Sequence, residues 1–363
     1  MTDRSKRFID ACLRRPVDRT PVWLMRQAGR YQAWYRKIRE KVSFIELCRD
    51  PELCTEVTAR AAEELDVDAA IMFSDILLIL EGLGAPFRFT EDGPELDEPM
   101  SDPSRIAGLK PADPHATVPY VFETINKLRK ELAGKIPLIG FSGAPFTLAA
   151  YLVEDREGVR KHGFEKTRAF FFQEPDTALK LMEVLARTVT AYLNAQIEAG
   201  VQAVQIFDTH AGVLAPQDYT RFVRKFMCNV IINLKRTGAD GGQIPVILSA
   251  VGAGHLLESF AGLGADVIAV DWRTNIDDAW TRIGYEHAVM GNLDPAALLG
   301  PKDEIRARVI DILSRAGKRK GYVFNLGHGI LPQTDPDKAR YLVDCVHELS
   351  AGNTIEPARG VSQ

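Results

Sequence analysis

Eight short runs rich in valine, isoleucine and phenylalanine recur along this chain, each followed by a stretch of helical periodicity. They are PVWLMR at 21–26, AAIMFSD at 69–75, PLIGFSG at 137–143, AVQIFDT at 203–209, PVILSAV at 245–251, DVIAVDW at 266–272, HAVMGNL at 287–293 and YVFNLGH at 322–328. The runs are nearly continuous in apolar residues rather than alternating, which is how strands covered on both faces read. Such a repeat within 363 residues fits an α/β fold of the (β/α)8 TIM-barrel class. A doubly wound open sheet is the rival that the same pattern allows.

The intervening helices carry start and stop signals. Asp50 and Pro51 read as an N-cap followed by proline in the first helical position, and Ala144-Pro145 reads similarly. The periodic run from Leu179 closes at Gly200. A second, from Asp218, predicts one helix ending at Gly238, with Lys235 and Arg236 near the negative end of its dipole. Thr274 with Asp277 resembles a capping box. Between the second and third strands, FRFTEDGPELDEPM at 87–100 reads as a small inserted hairpin turning at Asp92-Gly93, and a helix over 117–132 returns the chain to the barrel. Residues 1–355 thus form one expected barrel domain, with 356–363 a loose tail.

Composition narrows the function. With 45 basic and 49 acidic residues the net charge is -4, which gives a nucleic-acid role no footing. The five cysteines include no CxxC pair, so a disulfide framework or structural zinc site is not expected. The N-terminus lacks the apolar core of a signal peptide, and no run is long enough to span a bilayer. A cytoplasmic location is the expectation.

In a barrel the C-terminal ends of the strands share one rim, and that rim carries the chemistry. Here those ends supply Arg26, Asp75, Ser142, Asp208 with Thr209 and His210, Ser249, Asp271, Asn292 with Asp294, and Asn325 with His328. After Arg26, Gly29 offers a tight backbone path, and Arg30 and Arg39 follow. Guanidinium forks suit carboxylates, so several at one mouth point to a substrate carrying several acidic groups. Phosphate is disfavoured: MGNLDP after the seventh strand is not a glycine-rich cradle, and no GxxxxGK[ST] segment exists. Asp75 ends an apolar run, where an acid needs partners; it would either bridge to an arginine or accept donors from a substrate. Tyr151, two turns into the helix after the third strand, reads equally as core or as mouth. Histidine spacing supports no metal, and GFSGAP is not a nucleophile elbow.

WLMRQAGRY at 23–31, FSDIL at 73–77, GFSGAPFTLAAYLVE at 140–154, FDTHAG at 207–212 and NLGHG at 325–329 resemble the uroporphyrinogen decarboxylase family, in order over roughly residues 5–350. The resemblance implies a cofactor-free, single-domain barrel enzyme, commonly a homodimer, that removes carbon dioxide from the four acetate arms of uroporphyrinogen III to give coproporphyrinogen III. It implies that Arg26, Arg30 and Arg39 meet carboxylates of this acidic tetrapyrrole. Asp75 would gather the pyrrole N–H groups, with Tyr151 beside it, and Thr209 and His328 would bind substrate. Thr209 stands where animal members have serine, which keeps the hydroxyl. Two rivals remain: a cobalamin-linked methyltransferase of the same barrel superfamily, whose late cysteine ligand is missing from NLGHG, and a tetrapyrrole carrier without catalysis.

Overall fold

The computed structural model describes residues 3–90, 93–96, 99–154, 156–161 and 163–351. Its centre is a curled sheet of seven parallel strands: β1 (Ala70–Ile71), β4 (Leu138–Gly143), β5 (Ala203–Phe207), β6 (Val246–Ser249), β7 (Val267–Val270), β8 (Ala288–Leu293) and β9 (Tyr322–Leu326), in that spatial order. Every residue of β4, β8 and β9 is buried, which accounts for the unbroken apolar runs: helices cover one face and the sheet curls around the other. Separately, β2 (Phe87–Thr90) and β3 (Gly93–Leu96) pair antiparallel, with Phe87 opposite Leu96. Asp92 of the expected turn lies outside the described residues, as does the tail at 356–363. The helix Pro119–Glu131 follows where one is expected.

The first apolar run does not form a regular strand. Val22 makes a single parallel bridge to Phe324 of β9, with Phe324 N–H donating to Pro21 O at 2.9 Å and Trp23 N–H to Phe324 O at 3.4 Å. On its other side Asp68 N–H donates to Val22 O at 2.8 Å. The ladder stops there because this segment's donors are drawn to side chains. Pro21 has none, Val22 N–H goes to Asp68 Oδ2 at 2.9 Å, and Met25 N–H goes to Asn325 Oδ1 at 3.1 Å. The second run shortens to two residues for a similar reason, since Phe73 N–H donates to Thr58 Oγ1 at 2.9 Å.

Other expectations change in detail. Asp50 caps the helix Pro51–Leu65 by accepting from Leu53 N–H, and Pro145 opens the helix Pro145–Val153, as the sequence indicates. The helix Pro175–Ala199 ends on Gly200 at φ 116°. The helix expected to run to Gly238 is instead two, Pro216–Phe222 and Arg224–Ile232, and the chain then turns through a Thr237–Gln243 bridge. Lys235 and Arg236 sit beyond the helix end and pair with Glu198 and Asp266. No capping box forms at Thr274: Asn275 takes the cap position of the helix Ile276–Ile283, and Thr274 O accepts from Asn292 Nδ2 at 2.6 Å. No helix among the described residues is long and apolar enough to cross a membrane.

One buried carboxylate ties the ends of the chain to the sheet. Asp68 has no solvent exposure. Its Oδ1 accepts from Arg7 Nη1 at 2.6 Å, and its Oδ2 meets His347 Nε2 at 2.8 Å besides Val22 N–H. Arg7 also grips Asp18 through both oxygens, at 2.7 and 2.8 Å. Burial pushes the Asp68 carboxyl up, but His347, the Val22 N–H and Arg7 together outweigh it and leave the group below the ordinary carboxylate value. A lowered native pKa contributes stability that is complete above the unfolded value and disappears as pH falls through the native one. Removing one partner of a buried pair leaves the others uncompensated, so Asp68→Ala should cost about 3–5 kcal/mol of unfolding free energy in urea. A loss below about 1 kcal/mol would mean that water or Asp18 satisfies Arg7 instead.

Candidate active site

All seven strands point the same way, so their C-terminal ends share one edge of the sheet. Asp75 follows β1, Thr209 follows β5 and His328 follows β9 at that edge, while Tyr151 stands on the helix that leaves β4. All four side chains keep partial access to solvent. Phe207, the last residue of β5 and half-buried, packs edge to face on Phe141 of β4 at 5.6 Å between ring centroids.

Arg26, Asp75 and Tyr151 form one electrostatic unit. Asp75 keeps an opening to solvent, but the protein packed around it removes most of its water and raises the carboxyl to about 6. The Leu77 N–H, at 2.8 Å from Oδ1, and the charge of Arg26 pull the other way. Burial and then the charge of Asp75 push the Tyr151 hydroxyl up to about 12, again opposed by Arg26. At neutral pH this unit presents a carboxylate, a hydroxyl that still holds its proton, and a guanidinium.

Arg26 itself adopts φ 60°, the left-handed region that side chains rarely enter. The tight turn expected at Gly29 therefore falls on Arg26 instead, and a side chain at Gly29 would meet Arg26 O only at ordinary contact, 3.5 Å. Arg26 and Arg30 are exposed, and Arg30 reaches Tyr35 with its charge. Its carbonyl and that of Tyr31 accept from Arg36 Nη1 at 2.7 and 3.0 Å, which organises the loop. Arg39 ends the helix Ala33–Arg39, donates to Val42 O at 3.1 Å and lies 5.5 Å from the centroid of Phe44. Phe44 and Tyr35 both pack on Phe73, two residues before Asp75, so Arg39 belongs to the wall flanking the site rather than to its centre.

Several rim candidates serve structure. Asp208 turns away from the opening: it is fully buried, accepts from Thr147 Oγ1 at 3.2 Å, and burial raises it to about 7 against that hydrogen bond. Asp271 is held by Gly252 N–H and by Arg273, and Ser142 donates to Gly143 O. Asn325 anchors Met25. His210, read in the sequence only as a rim residue, supports Tyr151: its ring lies 5.1 Å from that of Tyr151 and 4.1 Å from that of Phe164. The signals the sequence offered were its place three residues after β5 and its presence in the FDTHAG segment; Phe164, left-handed at φ 51°, offered none. Among the described residues no group of three or more His, Cys, Asp or Glu is arranged to hold a metal ion.

A parallel α/β sheet with an acid, a tyrosine and an arginine near its C-terminal edge is the framework of a barrel-like enzyme. A family model described as uroporphyrinogen decarboxylase (URO-D) matches residues 3–349, and the chain belongs to that family. The uroporphyrinogen decarboxylase of Carboxydothermus hydrogenoformans is 49% identical over 345 residues, covering 95% of this chain and 96% of the relative. That of Roseiflexus is 47% identical, covering 95% and 99%. Among solved structures a methyltransferase from Methanosarcina mazei superposes with a TM-score of 0.79 over 96% of this chain and 99% of its own, at 21% identity, a likeness of fold.

Because Arg26 lowers the Asp75 pKa, Arg26→Ala should raise it above about 6 in the free protein. Carboxyl-selective NMR titration reads this directly. An unmoved Asp75 titration would separate the two groups.

Proposed function

We propose that this enzyme decarboxylates uroporphyrinogen, converting its four acetate side chains to methyl groups to give coproporphyrinogen. The observation that carries the reading is Asp75: a single carboxyl, partly open at the sheet edge, with Arg26 and Tyr151 in its field. Family membership supports the substrate. In this reading the segment 21–26 closes the sheet into a (β/α)8 barrel, β2 and β3 are a hairpin inserted in a single domain, and two copies pair as a homodimer in the cytoplasm.

The chemistry then follows from charge. Loss of carbon dioxide leaves an electron pair that needs a sink. A proton added at the α-carbon of the pyrrole makes the ring cationic. The bond to the carboxylate breaks and its pair neutralises the ring, leaving an exocyclic methylene. A proton added to that methylene forms the methyl group, and loss of the α-proton restores the pyrrole. Each carbon dioxide released thus consumes one proton. Asp75, ionised, accepts the pyrrole N–H groups and stabilises the cationic ring. Arg26 orients the reacting carboxylate, because guanidinium is a poor proton donor at neutral pH. Tyr151 donates a hydrogen bond near the reacting arm. Arg30, Arg39, Thr209 and His328 receive the remaining carboxylates, and the edge-to-face phenylalanines give the macrocycle an apolar floor.

Incubation with uroporphyrinogen under anaerobic conditions tests this: successive loss of carboxyl groups is expected. Tight binding with unchanged substrate would identify a carrier instead, and zinc-dependent methyl transfer would identify the methyltransferase reading. Asp75→Asn should lower kcat by at least about 100-fold with a smaller change in KM, since the charge acts on the cationic intermediate. Weaker binding at unchanged kcat would remove that role. Activity that needs ionised Asp75 should also fall tenfold per pH unit below about 6 and level off above it. A profile flat from pH 7 to 5 would assign the charge elsewhere.

A further inference from the structure

We propose that Gly329 is a positioning residue for the reaction: its missing side chain leaves the channel through which Arg26 reaches the site. Three observations converge. A Cβ built on Gly329 would come within 2.7 Å of Arg26 Cγ and 2.9 Å of Nε, and closer still to Cδ. These are the nearest atoms it would meet, so the Arg26 side chain is laid directly across this glycine. Gly329 itself has no left-handed φ, so the glycine is not there for backbone freedom; the space is the reason. The backbone on either side is fixed. Met25 N–H donates to Asn325 Oδ1 at 3.1 Å, and Ile330 N–H donates to Met25 O at 3.0 Å. Asn325, 1% exposed, also accepts from Leu326 N–H at 2.7 Å. Arg26 therefore leaves a clamped, left-handed backbone, and its side chain lies across Gly329.

The consequence is specific. In Gly329→Ala the group that must yield is the Arg26 side chain, which is flexible and exposed, not the backbone. The fold should survive while Arg26 is displaced from Asp75 and Tyr151. Displacement of a positioning contact by about 1 Å can cost on the order of 100-fold.

The inference rests on Arg26 acting as the carboxylate clamp, and a double-mutant cycle with a titration keeps the two separable. G329A alone should lower kcat/KM by about 10- to 100-fold with a melting temperature near that of the parent. In an R26A background the same change should alter kcat/KM by less than about twofold, because nothing is left to displace. If G329A melts early, R26A should restore the melting temperature by relieving the clash. In the free protein, G329A should raise the Asp75 pKa in the same direction as R26A. Equal losses from G329A in both backgrounds, or an Asp75 titration that G329A leaves unmoved, would overturn the positioning role. A shifted titration with parental kinetics in G329A and R26A alike would uphold the placement of Arg26 and reject its role as clamp.

Discussion

The Asp68 carboxylate is the contact on which the rest of the site depends. It lies at the junction where the first apolar run meets the sheet, and it is satisfied by groups from three distant parts of the chain: Arg7, the Val22 N–H and His347. A charge with no exposure persists only if its partners are held in place, so the helices Arg4–Cys12 and Pro336–Ser350 are tied to the segment between them. Val22 is four residues from Arg26. The segment that carries this arginine is thus anchored at its base by an ion-pair network and at its far end by the Met25 hydrogen bonds with Asn325 and Ile330.

At the opposite edge the electrostatics are deliberately unbalanced. Asp208 and Asp75 both follow β-strands, and burial raises both. Only Asp75 has a cation in its field and an opening to solvent. Asp208 accepts through Oδ1 from Thr147, whose Oγ1 also accepts from His210 N–H at 3.2 Å, while its buried Oδ2 has no hydrogen-bond partner among the described residues. His210 in turn backs Tyr151. The fully buried acid therefore ties the helix Pro145–Val153, through Thr147, to the loop whose His210 backs Tyr151, while the other stays partly open to solvent. Two carboxyls that follow strands differ in exposure and partners: one is fully buried against Thr147, the other is partly open and held by the Leu77 N–H.

That distinction explains what the sequence could and could not disclose. The runs at 138–143, 288–293 and 322–326 were legible because burial on both faces demands unbroken apolar composition. Proline at 51 and 145 and glycine at 200 marked helix ends because each has a local backbone reason. The first run was equally apolar, yet it forms only a bridge, since its donors are captured by Asp68 and Asn325, 46 and 300 residues away. No local pattern encodes those captures. The same holds for Arg26: the left-handed position was assigned to a neighbouring glycine on propensity, whereas tertiary hydrogen bonds impose it on the arginine. The helix expected to end at Gly238 stops at Ile232, because the residues after it are taken by pairing with other elements: Lys235 with Glu198 and Arg236 with Asp266.

The left-handed arginine shows how such a site is maintained. A residue with a side chain in this region costs on the order of 1–3 kcal/mol. Here the cost is offset by hydrogen bonds on both sides of Met25, to Asn325 and from Ile330, each worth about 1 kcal/mol in net terms. Both partners come from the last strand and its loop, so the strain is sustained only when the N-terminal and C-terminal parts of the chain are docked. A relaxed backbone at position 26 would turn the guanidinium away from Asp75. The attraction of Arg26, which together with the Leu77 N–H offsets part of the effect of burial, would then weaken, and the carboxyl's pKa would rise. The left-handed backbone at Arg26, the packing of its side chain over Gly329 and its pull on Asp75 all depend on one docking of segments about 300 residues apart, which is why no local pattern discloses them.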